Sequence, residues 1–254
     1  MRILVSIDDT DTMKMDGVEV RGTGELAGLI SHAIEDQGWG KCAPITRHQL
    51  LVHPDIPYTS HNSAMCFEAD IHESALTSVI TFASDFLAAE GAPDSDPGLC
   101  VAVADRITRP GWFISFGYMA KNYVLTKEQA YDLAQKLKIH LSEHGGTGQG
   151  VIGALAGAGL RFGGNDGRLK GKLKFKNTLN NTLTAGEICS QGKVDAVKCL
   201  DEGIILKDDD VVILGDHLKS VWLNGKSVLL VQRIGEDAAH PQWQTYSKSQ
   251  LKDF

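Results

Sequence analysis

The first eleven residues of the chain read Met1-Arg2-Ile3-Leu4-Val5-Ser6-Ile7-Asp8-Asp9-Thr10-Asp11. Residues 2–7 form a short apolar run rich in β-branched side chains, which predicts a buried strand. Three carboxylates follow within four positions, and such groups repel one another unless protons or a hard cation compensate their charge. The stretch therefore predicts a strand that ends at an acidic site. A solvated acidic turn would give the same pattern, and the two interpretations are about equally favoured by spacing alone.

Hydrophobic periodicity downstream of this strand predicts an α/β domain, because amphipathic helices alternate with extended segments. Helices are predicted over residues 23–37, 73–90 and 126–144. The last of these begins with a capping box formed by Thr126 and Gln129. Extended segments are predicted at residues 50–52, 64–71, 99–104 and, from their aromatic content, 111–118.

A glycine-rich run at residues 145–153 precedes a helix of small residues and contains G-x-G-x-x-G at Gly148, Gly150 and Gly153. A dinucleotide fingerprint of this form follows a strand, whereas the segment before this run reads as a helix, so a Rossmann site is disfavoured. The run could bind a phosphate through the N–H groups of a helix N-terminus. It could instead allow close packing of the helix, and the residue types slightly favour this second interpretation.

A second glycine-flanked helix start reads Val20-Arg21-Gly22-Thr23-Gly24-Glu25. Thr23 is the expected N-cap, because its hydroxyl can accept a hydrogen bond from a backbone N–H two or three residues later. Capping is the simpler interpretation. The same hydroxyl would meet a phosphoryl group if it faced the acidic site.

The composition changes after the glycine-rich stretch 163–167, which predicts a catalytic domain at residues 1–165 and a small β-rich domain at 166–254. The second domain is expected to contain a short helix near 184–191, a strand at 211–214, an Asn224-Gly225 hairpin and a loose polar end. Five cations alternate with apolar or small residues and predict a strand with one basic face: Arg168, Lys170, Lys172, Lys174 and Lys176. Edge protection or solvation is favoured over contact with RNA phosphates.

Composition excludes several classes of protein. A chain of 254 residues with 43% hydrophobic and 22% charged residues is neither disordered, collagen-like nor a coiled coil. No apolar stretch approaches the roughly 20 residues of a membrane span, and acids follow the first apolar run too soon for a signal peptide. The five cysteines form no C-x-x-C pair, so we expect reduced thiols in the cytoplasm. The net charge of −7 argues against a uniformly basic RNA-binding protein.

Four motifs occur in the order found in one known family. Ile7-Asp8-Asp9-Thr10-Asp11 comes first, followed by Pro54-Asp55-Ile56-Pro57-Tyr58 with Asn62 and Ala64, then Asp96-Pro97-Gly98, then Gly148-Gln149-Gly150-Val151-Ile152-Gly153-Ala154. The set resembles the kinase-like catalytic domain of the archaeal isoleucine-tRNA agmatinylcytidine synthetases. The resemblance covers roughly residues 1–165.

This resemblance implies a mixed-sheet, kinase-like α/β domain that binds ATP and Mg²⁺ and phosphorylates a tRNA cytidine to activate it for attack by agmatine. It implies metal-binding and catalytic roles for Asp8, Asp9 and Asp11, and a catalytic role at the phosphoryl group for Thr23. Nucleotide-binding roles are implied for seven further residues: Thr10, Gly22, Gly24, Asn62, Gly148, Gly150 and Gly153.

The chain also departs from the family. A lysine and an arginine that follow the I-P turn there are replaced in Thr59-Ser60-His61-Asn62, where His61 could substitute only partly. The family's ferredoxin-like insert, OB-fold and zinc ribbon have no evident counterpart in residues 166–254. We therefore expect an ATP- and Mg²⁺-dependent phosphotransferase or ligase that acts on a small molecule. The alternatives are a tRNA-modifying enzyme that uses the basic strand at 168–176, and a non-catalytic nucleotide-binding module.

Overall fold

The computed structural model describes residues 1–11, 21–56, 62–176, 178, 180–235, 242–252 and 254. The chain divides into two compact units, which we call unit 1 (Met1–Gly163) and unit 2 (Gly164–Phe254). Its fold is of the mixed α/β class that the sequence predicts. Within the described residues, no helix combines the length and the apolar character needed to cross a membrane. Pro57, Tyr58 and His61, which entered the family comparison, lie outside the described residues.

Unit 1 is a three-layer structure in which an antiparallel sheet lies between two groups of helices. Its strands are β1 (Arg2–Asp8), β2 (Gly40–Cys42), β3 (Thr46–Gln49), β4 (Ser63–Ile71), β5 (Gly98–Val103) and β6 (His140–Glu143). Its helices are α1 (Thr23–Asp36), α2 (Leu76–Glu90), α3 (Pro110–Asn122), α4 (Lys127–Leu137) and α5 (Gly150–Gly163). The strands pair in the order β6-β5-β1-β4-β3, and β2 also pairs with β4.

Strand β1 lies at the centre of this sheet and is buried on both faces. Ile3, Val5 and Ile7 pack with α1 and α2, whereas Leu4 packs with α3, α4 and α5 on the opposite face. Because side chains alternate between the faces of a strand, burial of both faces requires a continuous apolar run. This confirms the predicted buried strand and explains its composition.

Three predicted elements of unit 1 differ from the structure. Residues 111–118 are helical, because Pro110 starts α3 at a favourable first position and Phe113, Phe116 and Ala120 are buried at helical spacing. The helix predicted over 126–144 ends at Leu137.

The chain leaves that helix at Lys138, which takes a left-handed conformation with φ of 56°. The following residues form β6, which pairs with β5. The capping box at Thr126 and Gln129 is confirmed. The strand predicted at residues 50–52 lies at Thr46–Gln49 instead, since those residues pair with β4.

Unit 2 is a β-rich unit with one described helix, α6 (Ala185–Gly192). Its strands are β7 (Arg168–Leu169), β8 (Thr182–Thr184), β9 (Ala196–Cys199), β10 (Ile204–Ile205), β11 (Val211–Ile213), β12 (Ser220–Leu223), β13 (Lys226–Ile234) and β14 (Gln242–Thr245). They pair in the order β7-β12-β13-β14-β11-β8, with β9 beside β13 and β10 beside β9. The predicted hairpin is confirmed, because Asn224 and Gly225 have φ of 51° and 68°, as a type I′ turn requires.

The predicted basic strand is wrong beyond its first two residues. Only Arg168–Leu169 is extended and paired, and residues 170–176 form a loop. Leu173 and Phe175 pack against a core of unit 2, which accounts for the alternating pattern without a strand. The expectation of a loose end is also wrong, because Trp243, Tyr246 and Leu251 are buried.

Candidate functional site

Unit 1 contains a cavity of about 660 Å³ where β1, α1 and α5 meet near the connection from α3 to α4. Nine of the site residues expected from the sequence line it: Asp8, Asp9, Asp11, Gly22, Thr23, Gly24, Asn62, Gly150 and Gly153. These residues come from four separate stretches of the chain, and only the fold brings them together. The acidic cluster and both glycine-flanked helix starts therefore face the same cavity.

Asp8 is the last residue of β1 and lies against the first turn of α5. A Cβ atom placed on Gly153 would overlap the Asp8 carboxylate, and one placed on Gly150 would overlap the Asp96 carbonyl and approach the Asp8 carbonyl to 3.1 Å. Glycine at these two positions therefore allows the helix to approach the acidic strand end. The approach places the partial positive charge of the helix N-terminus next to a carboxylate.

The acidic cluster carries more negative charge than its surroundings offset. Burial raises the pKa of Asp8 to about 8, with further contributions from the charges of Asp9 and Asp11. Burial also raises the pKa of Asp9 to about 6, and the charges of Asp96 and Asp11 add to this. A bound cation would favour the ionised form of both groups.

The donor chemistry of this cluster fits Mg²⁺. Within the described residues, no group of three or more histidine, cysteine or acidic side chains is arranged to hold a metal by itself. Mg²⁺ does not need such a set, because it binds through one or two carboxylates and completes its shell with water and substrate phosphates. Asp8 and Asp9 are the residues that would hold it.

Thr23 faces the cavity from the first turn of α1. The predicted N-cap role is wrong, because Gly22 occupies the N-cap position and Thr23 is the first helical residue. The Thr23 hydroxyl accepts a hydrogen bond of 3.1 Å from the hydroxyl of Thr10, which is fully buried and does not line the cavity. Thr10 therefore holds Thr23 in place. Asp11 lies close by, since a Cβ on Gly22 would be 3.8 Å from its carboxylate.

Asp96 organises the glycine-rich turn that precedes α5. Its carboxylate accepts hydrogen bonds from the Thr147 hydroxyl at 2.7 Å, from the Thr147 N–H and from the Gly148 N–H at 3.3 Å. Gly148 has φ of 75°, and a Cβ there would overlap Glu143. Gly148 therefore shapes the turn and does not line the cavity. Sequence reasoning cited Asp96 only as part of a motif and did not identify this role.

The element before this turn is strand β6 and not the predicted helix. The premise used against a Rossmann site was therefore wrong. The conclusion is unchanged, because β6 is antiparallel to β5 whereas the dinucleotide fold uses parallel strands.

Two cations that the sequence did not single out line the same cavity. Arg47 of β3 donates hydrogen bonds to the Ser63 hydroxyl at 2.9 Å and to the Gln49 side-chain carbonyl at 3.3 Å. Lys127 of α4 donates to Glu143 at 2.6 Å and to the Thr147 carbonyl at 2.7 Å. No local pattern marks either residue, since each reaches the site through tertiary structure. They place positive charge on the wall of the cavity that the acidic cluster also lines.

The remaining wall of the cavity includes apolar and amide side chains. Leu50, Tyr123 and Val124 contribute apolar surface, and Tyr123 is 64% exposed. Asn62 is anchored by a 2.7 Å hydrogen bond from its amide nitrogen to the Leu51 carbonyl. The cavity thus combines acidic, cationic and apolar walls, which suits a ligand with both a charged and a flat apolar part.

Neither the models of known protein families nor the curated proteins include a match to this chain. Solved structures do match. A tRNA fluorescent labeling enzyme is 26% identical with a TM-score of 0.52, over 63% of this chain and 36% of that one. The TiaS complex with its isoleucine tRNA and ATP is 25% identical with a TM-score of 0.52, over the same shares. The chain thus matches little more than a third of the length of either protein.

A longer alignment with another TiaS structure has a lower sequence identity and supports only a similar fold. The complex of TiaS with its isoleucine tRNA, AMPCPP and agmatine is 16% identical with a TM-score of 0.51, over 96% of this chain and 60% of that one. Unit 1 makes up about two thirds of the chain, so this alignment extends into unit 2. The resemblance of sequence motifs ended near residue 165 and did not indicate that the similarity extends into unit 2.

Proposed function

We propose that this chain, whose fold is similar to that of TiaS, is an ATP- and Mg²⁺-dependent enzyme that transfers a phosphoryl group. The observation that carries the proposal is the convergence of Asp8, Asp9, Asp11 and Thr23 with the start of α5 on one cavity. Phosphoryl transfer requires charge neutralisation and positioning more than covalent chemistry by the protein. The cavity supplies groups for both.

Each group in the cavity has a proposed role. Asp8 and Asp9 hold Mg²⁺, which when bound offsets phosphate charge. Asp11 orients or deprotonates the acceptor, and Thr23 contacts the transferred phosphoryl group at the start of α1. The backbone N–H groups at the start of α5 bind phosphate oxygens. Removing a comparable electrostatic contact in other enzymes lowers kcat by about 10²–10³-fold.

Arg47 and Lys127 take the place of the cations that the family has after its I-P turn. Both line the cavity, although they come from β3 and α4. A guanidinium suits bidentate contact with a phosphate, whereas an ammonium acts as a point charge. The loss of the two family cations therefore does not require loss of activity, and the non-catalytic alternative is disfavoured. The apolar wall formed by Leu50, Tyr123 and Val124 receives the nucleobase.

For the acceptor we propose an RNA, with tRNA as the leading class. The matched TiaS structures carry an isoleucine tRNA together with ATP or AMPCPP. The sequence favoured a small-molecule acceptor for two reasons: the net charge is acidic, and the family's RNA-binding domains have no evident counterpart in residues 166–254. The second reason is weaker than it was, because the alignment with the TiaS–tRNA–AMPCPP–agmatine complex includes residues of unit 2. A small-molecule acceptor remains the competing outcome of the experiment below.

The decisive experiment combines nucleotide binding with product analysis. ATP, GTP and AMP are titrated with Mg²⁺ into the native protein and into the Asp8→Asn and Asp9→Asn variants, and thermal shift is recorded with nucleotide products. Asp36→Asn, an exposed acid at the end of α1, is the matched control. We expect Mg²⁺-dependent ATP binding that both site variants lose and the control keeps.

Transfer from γ-labelled ATP is then measured with bulk tRNA and with a pool of small hydroxyl-bearing metabolites. Label in tRNA supports the proposed acceptor, and label only in a metabolite supports the small-molecule alternative. ATP binding without any product would support a nucleotide-binding module. Equal binding by native protein and both site variants would show that the acidic cluster does not hold the metal.

A further inference from the structure

Unit 2 gathers cations from three separate segments of the chain, which we call the unit 2 basic cluster: Arg168, Lys172, His217, Lys219 and Lys248. Sequence reasoning considered only the stripe from 168 to 176 and expected it to be a strand. In the structure only residues 168 and 169 of this stripe form a strand. Two of its cations, Arg168 and Lys172, nevertheless lie together with His217, Lys219 and Lys248. The cluster is a product of folding and not of local sequence.

Backbone contacts fix two of these segments beside each other. The Leu173 N–H donates a 2.9 Å hydrogen bond to the Leu218 carbonyl, which places Lys172 next to the segment that carries His217 and Lys219. Arg168 is paired directly with Val221 of β12. Both contacts lie in the backbone, so the convergence does not depend on flexible side chains.

The third segment reaches the cluster through the core of unit 2. Tyr246 and Leu251, which flank Lys248 in sequence, are buried in the same core as Val221. The Tyr246 N–H donates a 3.0 Å hydrogen bond to the Leu230 carbonyl. Lys248 itself is exposed, as is Lys172, so both can reach a ligand.

Electrostatics supports this placement. Burial first, and then the charges of Lys219, Arg168, Lys172 and Lys248, lower the pKa of His217, and no acidic group is among the causes. Two buried nitrogens of the cluster, His217 Nε2 and Arg168 Nε, have no hydrogen-bond partner among the described residues. Burial lowers the pKa of Arg168, and the charge of Asp166 opposes this shift. Positive charge is therefore concentrated locally in a chain whose net charge is −7.

We propose that the unit 2 basic cluster binds the phosphodiester backbone of an RNA. Several cations on neighbouring segments match the closely spaced charges of a polyanion, and phosphate contacts of this kind position a nucleic acid without reading its sequence. The choice of RNA over another polyanion rests on the proposed acceptor. The location of the anion site rests on unit 2 alone.

The test uses the whole 254-residue chain, and it replaces two exposed lysines so that the fold is preserved. Binding of fluorescently labelled tRNA is measured by anisotropy from about 50 to 300 mM salt, without ATP, for the native protein and Lys172→Gln/Lys248→Gln. Lys207→Gln/Lys226→Gln removes the same charge from exposed positions elsewhere in unit 2 and is the control. Thermal unfolding confirms that each variant is folded.

We expect the cluster variant to bind tRNA about 10- to 100-fold more weakly near 100 mM salt and to reduce the slope of log Kd against log salt by about 2, one per lost phosphate contact. The control should retain both values. Equal loss in the control, or an unchanged slope in the cluster variant, would overturn the proposal. So would equal, cluster-dependent binding of polyglutamate, which would indicate an acidic protein partner.

ATP turnover is measured separately with the same proteins. If the cluster variant loses tRNA binding while no protein turns over ATP, the RNA site stands and the proposed function fails. If ATP is turned over and the cluster variant binds tRNA like the native protein, the proposed function stands and the RNA site fails. The two proposals can thus be rejected independently.

Discussion

Replacement of Gly153 by alanine should damage the proposed active site far more than it damages the fold. In an unobstructed helix, glycine to alanine stabilises by about 0.5–1 kcal/mol, because alanine loses less backbone entropy on folding. At Gly153 the new methyl group would overlap a carboxylate oxygen of Asp8. The same methyl group would lie 2.6 Å from the Asp8 Cγ, so the whole carboxyl group must turn about the Cα–Cβ bond of Asp8 if the helix is to stay in place.

The expected cost follows from that geometry. Accommodating an added methyl group in a packed site costs about 1–3 kcal/mol, which the helix gain partly offsets, so net destabilisation should be about 0–2 kcal/mol. A displacement of about 1 Å at a catalytic group can lower activity by about 100-fold. We therefore expect Gly153→Ala to lose at least 100-fold in ATP turnover while unfolding as a single cooperative transition.

Two comparisons make this prediction refutable. Gly111 lies in the first turn of α3 with no atom within 4 Å of its Cβ position, so Gly111→Ala should be neutral or stabilising and keep full activity. In an Asp8→Ala background the overlapping oxygen is gone, and Gly153→Ala should then cost about 1 kcal/mol less than in the native background. Guanidinium unfolding and turnover assays measure both quantities. Additive effects of the two substitutions, or an active Gly153→Ala enzyme, would refute the assigned contact.

Three further outcomes are expected. Lys127→Gln should raise the KM for ATP about tenfold in a steady-state assay, because a cation of the cavity is lost, and an unchanged KM would remove Lys127 from the phosphate site. Asp96→Ala should lower turnover and increase amide hydrogen exchange at residues 147–148, because their N–H groups lose their acceptor. His140 and His144 both hydrogen-bond to Ser142, and burial lowers their pKa values, so their neutral forms are favoured in the folded state. Their contribution to stability should therefore be full above about pH 6.5 and fall as the pH drops below it. His140→Gln/His144→Gln should flatten that fall in urea titrations, and a parallel curve would contradict it.

The sequence predicted those features that depend on neighbours along the chain. The strand at residues 2–7, the capping box of α4 and the Asn224-Gly225 turn follow from local composition and hydrogen bonding, and all three are confirmed. Aromatic content at residues 111–118 indicated a strand, yet Pro110 and the spacing of buried side chains produce α3. Tertiary burial decided that element, and intrinsic propensity did not.

The residues of the candidate site also divide into those that local sequence indicates and those that only the tertiary structure reveals. Asp8, Asp9 and Asp11, which line the cavity, could be singled out as candidates because three carboxylates at a strand end are chemically unusual. Arg47 and Lys127 could not, because each is an ordinary charged residue until the sheet and α4 place it on the cavity. The unit 2 basic cluster is a further case, since its members are far apart in sequence and only backbone pairing brings them together.

The two interpretations of the glycine-rich run, close packing and phosphate binding, are consequences of one feature. Gly150, Gly153 and Gly157 lack side chains where α5 passes the Asp96 and Asp8 carbonyls, the Asp8 carboxylate and the Ser6 hydroxyl. Close packing along this face is what brings the helix N-terminus to the acidic strand end. The same N–H groups can then meet a phosphate only if the charge of Asp8 and Asp9 is offset, because like charges would otherwise repel the ligand. Packing along α5 and cation binding at β1 must therefore act together, and a variant that disturbs either should lose nucleotide binding.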